Sequence, residues 1–367
     1  MSGLRLDFRY PPRSTKLRVL APTVKAWRTA LRGFSGSPLL YDSGLPTTEF
    51  LADWKGPTFP LAPGELSKSW QELERVLSFL VSHRVERKTP LVVIGGGSAC
   101  DVGSLAASLY RRGMPLVLVP TTLLSMVDAS VGGKSAIDYR EGPQFLKNFA
   151  GTFYPADEVL LYSPFLKSLP QRERLSGIGE LVKMIWIAGE EVPFQIIREF
   201  LESANADKHF FRIVLAAVEK KIQIVRKDPL DQKRIREILN FGHTVGHVLE
   251  SGSRGELSHG EAVLLGMAIE VFALLKKSSM QRELRKGLEI LQEFSDVGRI
   301  LKKLKDGRVE WELLLYADKK IRSGKLDVTL LSAPGKVVRK SVPPEVIVKG
   351  ITTFLESYRL GEVGLLM

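Results

Sequence analysis

Histidine is scarce in this chain of 367 residues, with five in all, yet His243, His247 and His259 fall close together. His243 and His247 stand at i and i+4, so on a helix they share one face. They lie in Asn240-Phe-Gly-His243-Thr-Val-Gly-His247-Val-Leu-Glu250, and a second segment reads Ser258-His259-Gly260-Glu261. Imidazole is a common zinc ligand, and a catalytic zinc takes three protein ligands and keeps one position open. Any one of these histidines alone would read as a helix cap or a hydrogen-bonded core group. Three so close in a His-poor chain point to a metal site.

A carboxylate for such a site lies earlier, in Ser176-Gly-Ile-Gly179-Glu180-Leu-Val-Lys183. Glu180 and Lys183 share a helix face at i, i+3. On a surface that pair would carry little energy. Its neighbours Ile178, Leu181, Val182, Met184, Ile185 and Trp186 predict a buried pair instead, and a buried charge needs a partner such as a metal.

Phosphate chemistry has weaker signals. Gly95-Gly96-Gly97 follows an apolar strand and precedes a helix, where backbone without Cβ lets a phosphate approach the helix N-terminus. Cys100 stands where a strict G-x-G-x-x-G would place its third glycine, so a simple tight turn is an equal reading. Asp101 is read as a helix cap or a cofactor contact, and Cys100 as a packed residue. Val127-Asp128-Ala-Ser-Val-Gly132-Gly133-Lys134 is not a phosphate loop of the G-x-x-x-x-G-K-[ST] kind, because Asp128 fails the spacing. Lys134, followed later by Lys147-Asn148, still suits an anionic ligand group. Ser67-Lys68 and Gly335-Lys336 are similar but weaker.

The elements that must position these groups read as follows. Short apolar runs at Leu17–Leu20, Pro38–Tyr41, Leu91–Ile94, Leu116–Val119 and Glu158–Tyr162 predict strands. Helical spacing predicts Ser67–Ser82 and Asp101–Arg112. Continuous apolar strands alternating with helices predict a parallel, Rossmann-like sheet. Beyond about residue 165 helices dominate, over Gly179–Ala188, Phe194–Ser203, Phe210–Val225 and Ala262–Lys276, with one strand pair at 326–331 and 336–339. The expected division is an α/β domain over 1–164 and a mostly helical domain over 165–367.

Composition sets bounds. Hydrophobic residues make up 44% and charged residues 26%, as in ordinary globular proteins. The single cysteine rules out an intrachain disulfide and a cysteine-based zinc cage. No apolar run has membrane-span length, since Ala262–Leu275 is broken by Glu270, and the opening MSGLRLDFRYPPRS lacks a signal-peptide core. A cytoplasmic protein without a membrane partner is expected. The net charge of +12 invites a nucleic-acid reading. The basic clusters (Lys302-Lys303-Lys305, Lys319-Lys320, Arg84-Arg87-Lys88) have no aromatic interleaving and no helix-turn-helix or zinc-finger pattern. The expectation is therefore an anionic small substrate and no nucleic acid.

Taken together and in order, from about residue 42 to 336, these segments resemble the 3-dehydroquinate synthase family of sugar-phosphate cyclases. The carriers are Gly64-Glu65-Leu-Ser-Lys68, Gly95–Asp101, Arg112-Gly-Met-Pro, Val119-Pro-Thr-Thr122, Val127–Lys134, Lys147-Asn148, Gly179–Lys183, Arg236–His247 and His259-Gly-Glu261-Ala. The resemblance implies a nucleotide-binding α/β domain followed by an α-helical domain, NAD used catalytically, and a bound zinc, or cobalt in its place. It implies conversion of 3-deoxy-D-arabino-heptulosonate 7-phosphate to 3-dehydroquinate and phosphate, a lyase step of the shikimate route to aromatic amino acids. The sequence of events is oxidation of the C5 alcohol, phosphate elimination, reduction of the ketone, ring opening and intramolecular aldol closure. The implied metal ligands are Glu180, His243 and His259. Lys134, Asn148, Lys183, Lys221, Arg236, Asn240, His247 and Lys336 would serve the substrate, and Arg112 a neighbouring subunit's phosphate site in a homodimer. NAD would meet Asp42, Glu65, Lys68, Gly96, Gly97, Asp101, Thr121, Thr122, Asp128, Lys134, Lys147 and Ser168.

This chain departs from the family pattern in places. Lys134 and Lys147 stand 13 positions apart where about nine is usual, and Leu146 and Arg234 replace glycines. The alternatives are another sugar-phosphate cyclase, a metal-dependent polyol or glycerol dehydrogenase, or a basic NAD- or nucleic-acid-binding protein with a decayed site.

Overall fold

A computed structural model of the chain describes residues 14–46, 50–142, 144–275, 278–318, 321 and 323–357. The expected Lys319-Lys320 cluster, Lys276 and most of the opening segment lie outside these residues. The chain packs as two compact units. Among the described residues, one comprises those up to Pro120 together with Gly133–Tyr162, and the other comprises Thr121–Gly132 and those from Ser163 onward. A single boundary near residue 164 does not describe the segment 121–132. Gly177 shows why it joins the helical unit, since a Cβ there would lie 2.4 Å from Leu123 Cβ.

The first unit is built on a six-stranded parallel sheet in the order β1-β8-β5-β4-β2-β3. In chain order it contains β1 (Lys16–Val19), α1 (Val24–Arg32), β2 (Leu39–Asp42), β3 (Thr58–Leu61), α2 (Trp70–Ser82), β4 (Leu91–Gly95), α3 (Gly97–Leu109), β5 (Leu116–Pro120), β6 (Lys134–Glu141), β7 (Gln144–Phe153) and β8 (Glu158–Leu161). Every residue of β4 and β5 is buried, as the continuous apolar runs require of a sheet covered on both faces. The antiparallel hairpin β6–β7 stands outside that sheet and was not expected.

Two helices here differ from the spacing argument. Helix α2 starts at Trp70 rather than Ser67, because the Ser69 side chain caps the Glu72 N–H. Helix α3 runs Gly97–Leu109 rather than Asp101–Arg112, so Asp101 lies inside it and is no cap. It ends where Arg111, Arg112 and Gly113 all take positive φ (47°, 62° and 108°), beyond Tyr110, whose hydroxyl donates to Val85 O at 2.8 Å.

The second unit contains α4 (Gln171–Ala188), α5 (Phe194–Ser203), α6 (Lys208–Lys227), α7 (His243–Gly252), α8 (His259–Leu274), α9 (Met280–Phe294), α10 (Val297–Asp306), α11 (Trp311–Asp318), β9 (Leu326–Ala333), β10 (Lys336–Val342) and α12 (Pro344–Ser357). Helix α8 is apolar on all sides and buried throughout Gly260–Val271. It packs against α4, α7, α9 and α12, which makes it the core of this unit. It begins at His259, not Ala262, because Ser258 and Glu261 form a capping box. Among the described residues no helix is long and apolar enough to cross a membrane.

Candidate active site

Glycine brings the helices of the second unit to backbone contact at the expected metal ligands. A Cβ on Gly179 would lie 2.2 Å from Gly260 O, and one on Gly260 would lie 1.9 Å from Ser176 O. Helices α4 and α8 therefore touch where Glu180 and His259, the adjacent residues, must meet. A second seam joins α7 to α8, where a Cβ on Gly266 would lie 2.1 Å from Gly242 O. Gly242 also holds φ 80°, a left-handed conformation that glycine adopts without cost. The fully buried Glu270 of α8 then accepts the N–H groups of Gly242 and Val245, each at 3.0 Å, and so fixes the start of α7 at His243.

The outcome is a three-residue cluster. Glu180 Oε1 lies 3.4 Å from His243 Nε2 and 3.6 Å from His259 Nε2. One donor atom from each of the three residues lies within 4.8 Å of the others. Neither Glu180 oxygen receives a well-directed hydrogen bond, although both are buried. What faces them is ionic, with Lys183 Nζ 2.5 Å from Oε2. Burial opposes the Glu180 charge, but Lys183 and His259 outweigh it and hold the carboxyl down to about 2. Burial likewise opposes a charge on His259, and Glu180 and Glu250 reverse that, raising it to about 9. A metal at Nε2 would take the place of that proton. One ionised carboxylate whose Oε1 faces two imidazole Nε2 atoms fits a catalytic zinc or cobalt donor set. His247 stands beside this cluster, its ring centroid 5.3 Å from that of His243 and 5.9 Å from that of His259.

Cations surround it within the same unit. Lys183 donates to Leu239 O at 2.6 Å. Lys221, buried in the middle of α6, pairs with the carboxylate and carbonyl of Asp128. Desolvation pushes Asp128 up, and Lys221 more than reverses it. Asp128 itself sits in the single π-helical turn Ser125–Ala129, preceded by Thr122, whose hydroxyl donates to Ser125 Oγ at 2.9 Å. Arg236 is buried and donates to Pro229 O at 3.1 Å and Gly132 O at 3.3 Å. The loop before it is shaped by Asp228, which accepts N–H bonds from Gln232, Lys233 and Ile235 at 2.8–3.2 Å. Arg234, in place of the family's glycine, adopts φ 62° there and pairs with Glu237 at 2.6 Å and Asp327 at 2.8 Å. Asn240, Lys336 and Ser168 are exposed.

In the first unit the candidate dinucleotide residues gather at the carboxyl ends of the parallel strands, the usual ligand edge of such sheets. Asp42 ends β2, Gly95 ends β4, and Gly96 caps α3. A Cβ on Gly95 would lie 2.5 Å from Ala99 Cβ. Cys100 is buried against this turn, and burial raises its thiol far above the usual range, so it is no nucleophile. Lys68 is buried and lies 2.7 Å from Asp101 Oδ2. Burial pushes its pKa down, but Asp101 and Glu65 outweigh that and raise it above the ordinary lysine value. Lys68 also donates to Asn148 Oδ1, and Ser98 Oγ donates to Glu65 at 2.7 Å.

The long interval from Lys134 to Lys147 has a structural explanation. Ile137 pairs with Ala150 and Tyr139 with Leu146, so Asp138 alone faces Lys147, Asn148 and Phe149. This bulge absorbs extra residues while Asn148, at φ 53°, stays next to Lys68. Asp138 Oδ1 pins it by accepting the Asn148 N–H at 2.7 Å. Lys134, Lys147 and Arg112 are exposed in this unit.

Sequence reasoning passed over four carboxylates that shape these groups: Asp138, Asp228, Glu250 and Glu270. Only Glu270 carried a visible signal, as the one charge beyond the first turn of an otherwise apolar helix.

Residues 58–176 match the family model described as 3-dehydroquinate synthase N-terminal, and residues 177–320 match 3-dehydroquinate synthase C-terminal. The chain is 35% identical to the 3-dehydroquinate synthase of Picrophilus torridus, over 78% of this chain and 81% of that protein. It is 36% identical to that of Symbiobacterium thermophilum, over 81% of each. Among solved structures, 2-epi-5-epi-valiolone synthase from Streptomyces hygroscopicus, holding NAD+ and Zn2+, superposes with a TM-score of 0.78 at 24% identity, covering 97% of this chain and 100% of that one. Glycerol dehydrogenase from Schizosaccharomyces pombe reaches 0.58 at 16% identity, covering 94% and 89%. These two likenesses speak to the fold.

Proposed function

Because the chain belongs to the 3-dehydroquinate synthase family, we propose that it converts 3-deoxy-D-arabino-heptulosonate 7-phosphate to 3-dehydroquinate and phosphate with Glu180, His243 and His259 as its metal ligands. The observation that carries the site assignment is the buried Glu180 carboxylate, which lacks a directed hydrogen bond and faces two imidazole nitrogens. A divalent zinc or cobalt ion held by Glu180, His243 and His259 would supply Lewis acidity toward substrate hydroxyls and so lower the pKa of the alcohol to be oxidised. NAD held by the residues named below would supply a hydride acceptor that is regenerated within the cycle and not consumed.

The chain's own residues bind and orient. Lys183, Lys221 and Arg236 are cations already buried or half-enclosed among carbonyls and carboxylates, so their charge is fixed in place before substrate arrives. With Lys134, Asn148, Asn240 and Lys336 they meet the substrate's carboxylate, hydroxyls and phosphate. His247, one turn along α7 from His243, hydrogen-bonds the substrate or relays a proton. Asp42, Glu65, Lys68, Gly96, Gly97, Asp101, Thr121, Thr122, Asp128, Lys134, Lys147 and Ser168 hold NAD. Arg112 extends from a turn with successive left-handed residues and serves a partner subunit's phosphate in a cytoplasmic homodimer.

The test is stoichiometric. Phosphate release should require both NAD and metal while reduced nicotinamide shows no net accumulation. Stoichiometric reduced nicotinamide would make the protein a polyol dehydrogenase of the same fold.

A further inference from the structure

We propose that Glu250 is a positioning residue for the metal centre: its carboxylate accepts the Nδ1–H of His259 and thereby turns Nε2 toward Glu180 and His243. The inference rests on the reading of those three residues as a metal site.

The geometry is two-sided. His259 Nδ1 lies 3.2 Å from Glu250 Oε2, while Nε2 of the same ring lies 3.6 Å from Glu180 Oε1. A carboxylate thus stands at each nitrogen, one on the metal side and one behind. An imidazole that donates from one nitrogen presents a lone pair at the other, so a partner fixed at Nδ1 selects the tautomer a metal needs at Nε2.

Glu250 can hold this position because its helix cannot drift. It lies seven residues after His243, two helical turns along α7, so both project from the same face. That helix is locked to α8 by Gly242 and Gly266 and by the Glu270 carboxylate at its first turn. The two helices are therefore cross-braced. Glu270 reaches from α8 to the start of α7 beside His243, and Glu250 reaches from α7 to the first residue of α8, His259. A helix-capping purpose for Glu250 is unnecessary, since Ser258 and Glu261 already cap α8. The Glu250 side chain is 18% exposed and that of His259 28%, so the pair is partly shielded from water.

The experiment uses the full chain stripped of metal and titrated with Zn2+ against a chromophoric chelator. Glu250→Ala should weaken zinc binding about 10- to 100-fold, the usual cost of removing such a partner. Glu250→Gln, which keeps an acceptor oxygen but loses the charge, should weaken it by a smaller but measurable factor, about three- to tenfold. A purely structural role would lower the melting temperature of the metal-free chain without changing zinc affinity. Zinc affinity within twofold of wild type in both variants overturns the proposal. If Glu250→Ala does not fold, Glu250→Gln decides alone, with unchanged affinity as the contrary result. His259→Ala separates the two levels. Zinc held by that variant as tightly as by wild type would overturn the metal reading itself, and this inference with it.

Discussion

The two candidate ligand regions are built on opposite principles. In the helical unit the candidate metal ligands sit on three helices that touch backbone to backbone, at Gly179 against Gly260 and Gly242 against Gly266. Side-chain choice there has little freedom, because the main chain already fixes where Glu180, His243 and His259 meet. In the sheet unit the charged groups stand on a bulged two-stranded hairpin and a strand-to-helix turn, and they are held by one another. Lys68 bridges Asp101 and Asn148, and Asp138 holds the Asn148 backbone. The difference teaches where each region will fail. A metal donor set tolerates small displacement poorly, so it is held by packing. A flexible dinucleotide can be met by longer, adjustable side chains.

The largest expected effect is on the packed region. In Gly260→Ala the new methyl would meet Ser176 O at 1.9 Å, a contact the backbone can relieve only by separating α4 from α8. Thermal or denaturant unfolding should show a loss of about 3 kcal/mol, accompanied by weaker metal binding. Unchanged stability and metal content would mean that the seam is looser than described.

Lys134→Ala should behave the other way. Lys134 is exposed at the first position of β6, so its loss should leave the melting temperature near that of wild type. Losing a charge-assisted contact to the substrate should cost about 2–4 kcal/mol in the transition state, a fall of roughly 30- to 1000-fold in rate. A variant that unfolds early yet keeps its specific activity would place Lys134 in the structure rather than at the substrate.

The cluster of Glu180, His243 and His259 was legible because histidine is rare here and because Glu180 stands with Lys183 among apolar neighbours. The parallel sheet was legible because Leu91–Ile94 and Leu116–Val119 are apolar without interruption. The hairpin β6–β7 was not, because Lys134–Glu141 and Gln144–Phe153 mix charges and apolar residues and the bulge at Asp138 breaks the alternation. The end of α3 was misread because Arg111 and Arg112 suit a helix locally. The helix ends where Arg111, Arg112 and Gly113 take positive φ, a conformation that Gly113 suits and that the two arginines gave no sign of adopting. Glu250 escaped notice for a similar reason, since a carboxylate near the end of a short helix resembles an ordinary surface group until its position against His259 is seen.

Metal analysis tests the central claim most directly. Freshly purified wild-type protein should carry about one divalent ion per chain, as one three-ligand site requires. Folded His243→Ala and His259→Ala chains, checked by melting temperature, should carry far less. Metal content equal to wild type in both variants would contradict the assignment of Glu180, His243 and His259 as the metal centre.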